Sequence, residues 1–217
     1  MIEWVYKGAS ESTLLNALYV ATDHEEIFDC VIAFGGKAVL TASTHKTGTE
    51  RCNEAVNMLA KSFDAVINIQ GDEPLIKAGQ IDLLATLIAK KNIDIATLCM
   101  PVSEASLIHN PNNIKVVFDN KHRAMYFSRA PIPFSRSKKL VRYFEHIGMY
   151  AYKTEVLHQL VKLKPGKLEE IEKLEQLRWM ENGYRIYLAE TQSGNISVDT
   201  PEDLQKLIKK IRSKRHP

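Results

Sequence analysis

The sequence predicts a three-layer α/β/α protein built around a mixed sheet, and three observations carry that prediction. Helical and strand periodicities alternate through the first hundred residues. The turn-rich linker Asp119-Asn120-Lys121-His122 separates two short apolar runs, as in a hairpin, which adds antiparallel pairing. The apolar run 65–69 stops abruptly at Gln70-Gly71-Asp72-Glu73-Pro74. Open α/β sheets take their ligands just beyond such strand ends.

Each element has a local reason. Residues 18–21 form a short apolar strand, and Asp23-His24-Glu25-Glu26 supplies an N-cap and a capping-box acid. Ile27, Cys30, Val31 and Phe34 follow at helical spacing until Gly35-Gly36 ends the helix. A strand at 37–41 leads into the capping box Thr47-Gly48-Thr49-Glu50, and Cys52, Ala55, Val56 and Leu59 form that helix's apolar face. After the strand 65–69, Ile81, Leu84, Ala85 and Ile88 mark another helix, and 95–100 another strand. The runs 114–118 and 124–128 form the hairpin, and Pro131 and Pro133 keep the next segment extended. A strand at 146–152 and a helix at 155–163 follow. Leu168, Ile171, Leu174 and Leu177 predict one amphipathic helix ending near Gly183. Residues 185–189 form a late strand, and 196–198 a short one before Asp199. Thr200-Pro201 opens a last helix with the stripe Leu204, Leu207, Ile208 and Ile211.

Composition narrows the class. A chain of 217 residues, 45% hydrophobic and 25% charged, suits one large domain over 1–217. No apolar run approaches the roughly 18–20 residues of a membrane span. Glu3 and Lys7 interrupt any signal-peptide pattern, so a cytoplasmic protein is expected. Cys30, Cys52 and Cys99 lie far apart on apolar faces and read as reduced core thiols. The net charge of +3 is concentrated in Lys206, Lys209, Lys210, Arg212, Lys214 and Arg215. No aromatic residues interleave with that run, which reads as a solvated helix face and not a nucleic-acid surface.

Several polar residues stand where chemistry would need them. Gly71 lets the backbone turn after the strand, so Asp72 faces open space. Asp199 also follows a short apolar strand. Together they suit a magnesium ion, which takes one or two carboxylates and completes its shell with water and phosphate oxygens. Asp72 reads otherwise as a turn acid, and Asp199 as a capping residue. Arg51 stands in the first turn of the helix opened by Thr47, where backbone N–H groups and a fixed cation could hold an anion or a base edge. Glu175 and Gln176 suit vicinal hydroxyls, or else a solvent face. His146 opens an apolar strand and reads as a ligand or a core histidine. Arg129 is able to clamp a carboxylate or make a loop ion pair.

In chain order these segments resemble the 3-deoxy-D-manno-octulosonate (Kdo) cytidylyltransferases. The matching pieces are Val20-Ala21-Thr22-Asp23-His24, His45-Lys46-Thr47-Gly48-Thr49-Glu50-Arg51 and Asn68-Ile69-Gln70-Gly71-Asp72-Glu73-Pro74. Next come Asn110-Pro111-Asn112-Asn113-Ile114-Lys115-Val116-Val117 and Tyr126-Phe127-Ser128-Arg129-Ala130-Pro131-Ile132-Pro133. His146-Ile147-Gly148-Met149-Tyr150-Ala151-Tyr152, Leu174-Glu175-Gln176-Leu177-Arg178 and Val198-Asp199-Thr200-Pro201-Glu202-Asp203-Leu204 complete the series.

The resemblance implies a Rossmann-like nucleotide-diphospho-sugar transferase fold. It also implies attack of the sugar acid's anomeric hydroxyl on the α-phosphate of CTP, giving CMP-Kdo and diphosphate for lipopolysaccharide biosynthesis. It assigns Asp72 and Asp199 to magnesium, and Arg51 and Gln70 to the nucleotide. Arg129, His146, Tyr150, Glu175 and Gln176 fall to the sugar acid, and a homodimer is implied.

The chain departs from the family pattern at its start. Met1-Ile2-Glu3-Trp4-Val5-Tyr6 matches a helix that the family places after a first strand and a basic triphosphate loop. The expectation is therefore a sheet lacking that strand, with two open strand edges and fewer cations for the departing diphosphate. Two other functions fit the same pattern: a non-catalytic relative that binds a sugar acid or a partner, and CMP-activation of another nonulosonic acid.

Overall fold

A computed structural model describes residues 1–136, 141–194, 197–198, 200, 202–205 and 207–209. The elements run α1 (Ile2–Ser10), β1 (Val20–Thr22), α2 (Glu25–Ala33), β2 (Ala38–Leu40), α3 (Gly48–Met58), β3 (Ala65–Asn68), α4 (Ala78–Ile88) and β4 (Ile95–Val102). They continue with α5 (Ala105–His109), β5 (Lys115–Phe118), β6 (Ala124–Ser128), β7 (Tyr143–Lys153), α6 (Thr154–Leu160), α7 (Lys167–Glu172), α8 (Glu175–Glu181) and β8 (Ile186–Glu190).

The mixed α/β sheet forms as expected. β6, β5, β7, β4 and β8 lie side by side, and β3 also pairs with β7. β4 and β8 are parallel, whereas β7 runs antiparallel to β3, β4 and β5. The consecutive strands β3 and β4 are thus not neighbours, because β7 inserts between them. β1 and β2 form a separate parallel pair. Among the described residues, β1 pairs only with β2 and β3 only with β7.

Both faces of the main sheet are covered. Along β7, Tyr150 and Tyr152 join one core with Val156, Leu157 and Leu160 of α6 and with Leu177 and Trp179 of α8. The intervening Ile147, Met149 and Ala151 join the other core, with Val5 and Ala9 of α1 and Ile81, Leu84 and Ile88 of α4. This period-two alternation between two apolar layers makes the three-layer architecture. It also explains why β4 reads as an almost continuous apolar run.

Three packing expectations are corrected. The stripe from Leu168 to Leu177 does not lie on one helix. Lys173 adopts a left-handed conformation at φ 54°, ends α7 and lets Leu174 start α8. The break turns Leu174 and Leu177 into the core and leaves Ile171 77% exposed.

On α2 only Val31 is buried, and Cys30 is exposed, so it is not a core thiol. The two three-residue strands beneath α2 are too small to cover its whole predicted face. Cys52 is half-buried and Cys99 buried, and burial pushes both thiols up to about 12. In the last helical stretch Leu207 is buried, whereas Leu204 and Ile208 are exposed, so among the described residues of that stripe only Leu207 packs inward. Ile211 and the basic residues Lys206, Lys210, Arg212, Lys214 and Arg215 lie outside the described residues.

Candidate active site

Helix α3 organises the site from its N-terminus. Thr47 is extended and its hydroxyl accepts the Glu50 N–H at 3.2 Å, as the capping pattern predicts. Thr47→Ala is expected to cost about 1 kcal/mol, read as a lowered midpoint in urea unfolding. The preceding loop is tied to the same helix. His45 Nε2 hydrogen-bonds Glu54, and the Ala42 N–H donates to Glu54 at 3.0 Å. The His45 bond holds the Glu54 carboxyl below its usual range. A Cβ on Gly48 would stand 3.0 Å from the Asn68 side chain, so this glycine lets α3 approach the end of β3.

Arg51 reaches across the ends of β1 and β2. It donates to the Thr41 hydroxyl at 2.7 Å and pairs with Asp23 at 3.2 Å. Gln70 and Asp72 are both half-buried just beyond β3. Asp72 is joined to the chain immediately before position 199. Its backbone carbonyl accepts the Val198 N–H at 3.0 Å, and its carboxylate accepts the Ser197 hydroxyl at 3.3 Å. Asp199 itself lies outside the described residues.

A polar-aromatic cluster lies on one face of the main sheet, formed by β6, β7 and α8. The His146 ring stands 5.0 Å from Phe127 and 5.2 Å from Tyr150. Tyr150 meets Trp179 edge-on at 5.0 Å and stacks on Tyr152 at 5.9 Å. Among the described residues the buried Tyr150 Oη and Trp179 Nε1 have no hydrogen-bond partner. Such orphaned groups are costly, and a polar ligand is one way to satisfy them.

Burial raises the Glu175 carboxyl above its usual range, although the Thr49 hydroxyl donates to it at 2.8 Å. Burial also pushes the His146 imidazole down to about 3, so it is neutral at physiological pH. Gln176 is buried beside Glu175.

The predicted residues therefore fall into groups. His146, Tyr150, Glu175 and Gln176 gather in or beside the aromatic cluster, and Arg51 is anchored to the β1–β2 ends. Thr49 connects the two regions, since it bonds Glu175 and lies 3.4 Å from the Tyr152 hydroxyl. Arg129 is differently engaged. Its guanidinium donates to the carbonyls of Glu172 at 2.7 Å and Pro111 at 2.9 Å, and reaches that of Lys173 at 3.4 Å. It braces the loop after β6 against the end of α7.

Sequence reasoning did not single out Thr49 or Trp179 as parts of this cluster. Trp179 lies four positions after Glu175, the helical spacing that puts two side chains on one face. Thr49 was visible only as part of a capping box.

An acid beyond a strand end, a capped helix carrying an arginine and a buried polar-aromatic cluster with unsatisfied groups, on an α/β framework, suit a nucleotidyltransferase-type protein. The comparisons agree. The cytidylyltransferase family profile matches residues 1–187. A 3-deoxy-manno-octulosonate cytidylyltransferase from Fusobacterium nucleatum is 46% identical over 98% of this chain and 86% of its own length. An 8-amino-3,8-dideoxy-manno-octulosonate cytidylyltransferase from Shewanella pealeana is 44% identical over 94% of this chain and 85% of its own length. The solved structure of a CMP:2-keto-3-deoxy-manno-octonic acid synthetase complexed with CTP superposes with a TM-score of 0.92. It is 36% identical and covers 98% of this chain and 88% of its own. The chain belongs to the cytidylyltransferase family, within its 3-deoxy-manno-octulosonate cytidylyltransferases.

Proposed function

We propose that this protein joins CTP to 3-deoxy-D-manno-octulosonate. The anomeric hydroxyl loses its proton and its oxygen bonds to the α-phosphorus, while the bond to the β-phosphate bridge breaks and diphosphate leaves. The observation that carries the reading is the buried cluster of Tyr150, Trp179, His146 and Glu175. Its orphaned hydroxyl and indole N–H match a polyhydroxylated acid. Transfers of this kind depend on positioning and charge neutralisation more than on a covalent nucleophile.

Within this reading Arg51 and Gln70 serve the nucleotide, and Glu175 and Gln176 hold sugar hydroxyls. Arg129 keeps the loop beside the sugar pocket in place. Asp72 offers hard carboxylate oxygens that fit magnesium, with Asp199 as the second ligand. When bound, the ion neutralises triphosphate charge. The product would feed lipopolysaccharide biosynthesis. A nucleoside-triphosphate substrate together with three free thiols supports a cytoplasmic setting. A homodimer is supported by the exposed apolar side chains Met125 at 63% and Phe134 at 87% on and after the edge strand β6.

Magnesium-dependent diphosphate release with CTP and Kdo tests the reading. Binding of Kdo by calorimetry without turnover would favour a binding-only relative. The names of the Shewanella relatives motivate a second reading, in which the acceptor is the 8-amino analogue. Competition between the two acids in one assay separates them. The hydroxyl of Tyr150 gives a sharper check. Tyr150→Phe removes a group without a partner among the described residues, so unfolding stability should hold or rise. The KM for the sugar acid should rise about tenfold, with the KM for CTP little changed. Equal loss of stability and affinity would speak against a ligand-facing hydroxyl.

A further inference from the structure

Thr97 lies at the centre of the sheet, fully buried in β4, and no part of the proposed chemistry uses it. It sits where the ladder with β7 is broken. Thr97 pairs with Tyr150 and Leu98 pairs with Ile147, so Gly148 and Met149 have no opposite residues and form a bulge. The Thr97 hydroxyl lies 2.8 Å from the Met149 carbonyl, 3.2 Å from the Ile147 carbonyl and 2.9 Å from His146 Nε2.

Proton counting resolves this three-way contact. A threonine hydroxyl has one proton and two lone pairs, and carbonyl oxygens only accept. If the proton pointed to His146, the Met149 carbonyl would face a bare oxygen at 2.8 Å inside the core. The proton therefore goes to the bulge carbonyls, and the hydroxyl oxygen accepts from Nε2–H. His146 is neutral, so Nδ1 is then left with a lone pair. Among the described residues no hydrogen bond occupies Nδ1.

We propose that Thr97 is a positioning residue that locks His146 in its neutral Nε2–H tautomer, so that Nδ1 accepts a hydrogen bond from a hydroxyl of the bound sugar acid. The assignment rests on the sugar site proposed above for its second half. The first half concerns the unliganded protein alone. The cluster then offers complementary edges: an acceptor on His146, a donor on Trp179 and a hydroxyl on Tyr150 able to act as either. The bulge has a chemical task in this arrangement, since its two carbonyls orient the proton that fixes the tautomer.

The test separates the two halves. In protein carrying ¹⁵N-histidine, two-bond ¹H–¹⁵N correlation reads which ring nitrogen bears the proton. His146→Gln identifies the His146 signals by their loss. The wild-type protein without ligand should show a protonated Nε2 and a bare Nδ1, and Thr97→Ser should keep that pattern. Thr97→Val removes the acceptor, so the Nδ1–H form should appear. Its KM for Kdo should rise about tenfold while the KM for CTP stays near wild type. Thr97→Ser should restore the affinity.

A protonated Nδ1 in the wild-type protein overturns the lock, whether or not Thr97→Val folds. A changed tautomer with an unchanged KM for Kdo overturns the role in sugar binding. Failure of the broader function would look different. Diphosphate would not be released by any variant with Kdo, while the wild-type tautomer pattern would still be read directly.

Discussion

Asp72→Asn should lower magnesium-dependent turnover of CTP with Kdo by about a hundredfold to a thousandfold, with little change in folding. The substitution keeps size and shape and removes only the charge. The backbone link from Val198 to the Asp72 carbonyl is untouched, and an asparagine oxygen is still able to accept the Ser197 hydroxyl at the present 3.3 Å. Without the carboxylate the site has one less hard anionic oxygen for a cation held against a triphosphate. Steady-state diphosphate release against magnesium concentration is the measurement, with circular dichroism as the folding control. Turnover within a few-fold of wild type, at the same magnesium requirement, would remove Asp72 from the reacting centre.

The largest single stability effect is expected at Glu169. Arg178 donates to both of its carboxylate oxygens at 2.6 Å, and the two side chains are 14% and 8% exposed. Arg178 also donates to the Leu163 carbonyl at 3.2 Å, so its position is fixed from two sides. Glu169→Ala leaves a mostly buried guanidinium without its counter-ion. The cost should be about 3 kcal/mol, at the low end for such a pair because both groups keep some water contact. Replacing both partners with apolar residues should recover much of it, and urea unfolding of the two single variants and the double variant measures the coupling.

The pH dependence has a definite sign. Burial is the largest single influence and would raise the Glu169 carboxyl, but the hydrogen bonds from Arg178 and the Gly166 N–H, with the charges of Arg178 and Lys173, together outweigh it and hold it below its usual range. A depressed carboxylate stabilises the fold above its unfolded pKa, and that contribution is lost as pH falls through the folded value. The wild-type protein should therefore lose stability below about pH 4 more steeply than Glu169→Ala.

Much of this protein was readable before any coordinates. The strand ending in Gln-Gly-Asp-Glu-Pro, the capping box at Thr47 and the hairpin about Asp119 each depend on short-range chemistry, and each is found in place. His146 and Glu175 stood out by position and Tyr150 through the family resemblance, and the structure brings the three together where β7 and α8 meet. Long-range effects were illegible. The apolar spacing from Leu168 to Leu177 is as regular as in any helix, yet the Glu169–Arg178 pair and the left-handed Lys173 fold it into two. Cys30 fits a helical stripe, but burial depends on how much sheet lies beneath, which periodicity does not report. Thr97 carries no signal at all in the sequence, because its role comes from a break in a ladder between strands some fifty positions apart.

The separate β1–β2 pair has a mechanical implication. With three residues in each strand and, among the described residues, no strand-to-strand link to the six-stranded sheet, it is placed by helices and side chains. α3 is the beam between the two, held to the small ribbon through Arg51 and to the aromatic cluster through Thr49. Because α3 is bonded at both ends, the small ribbon and the aromatic cluster share one support.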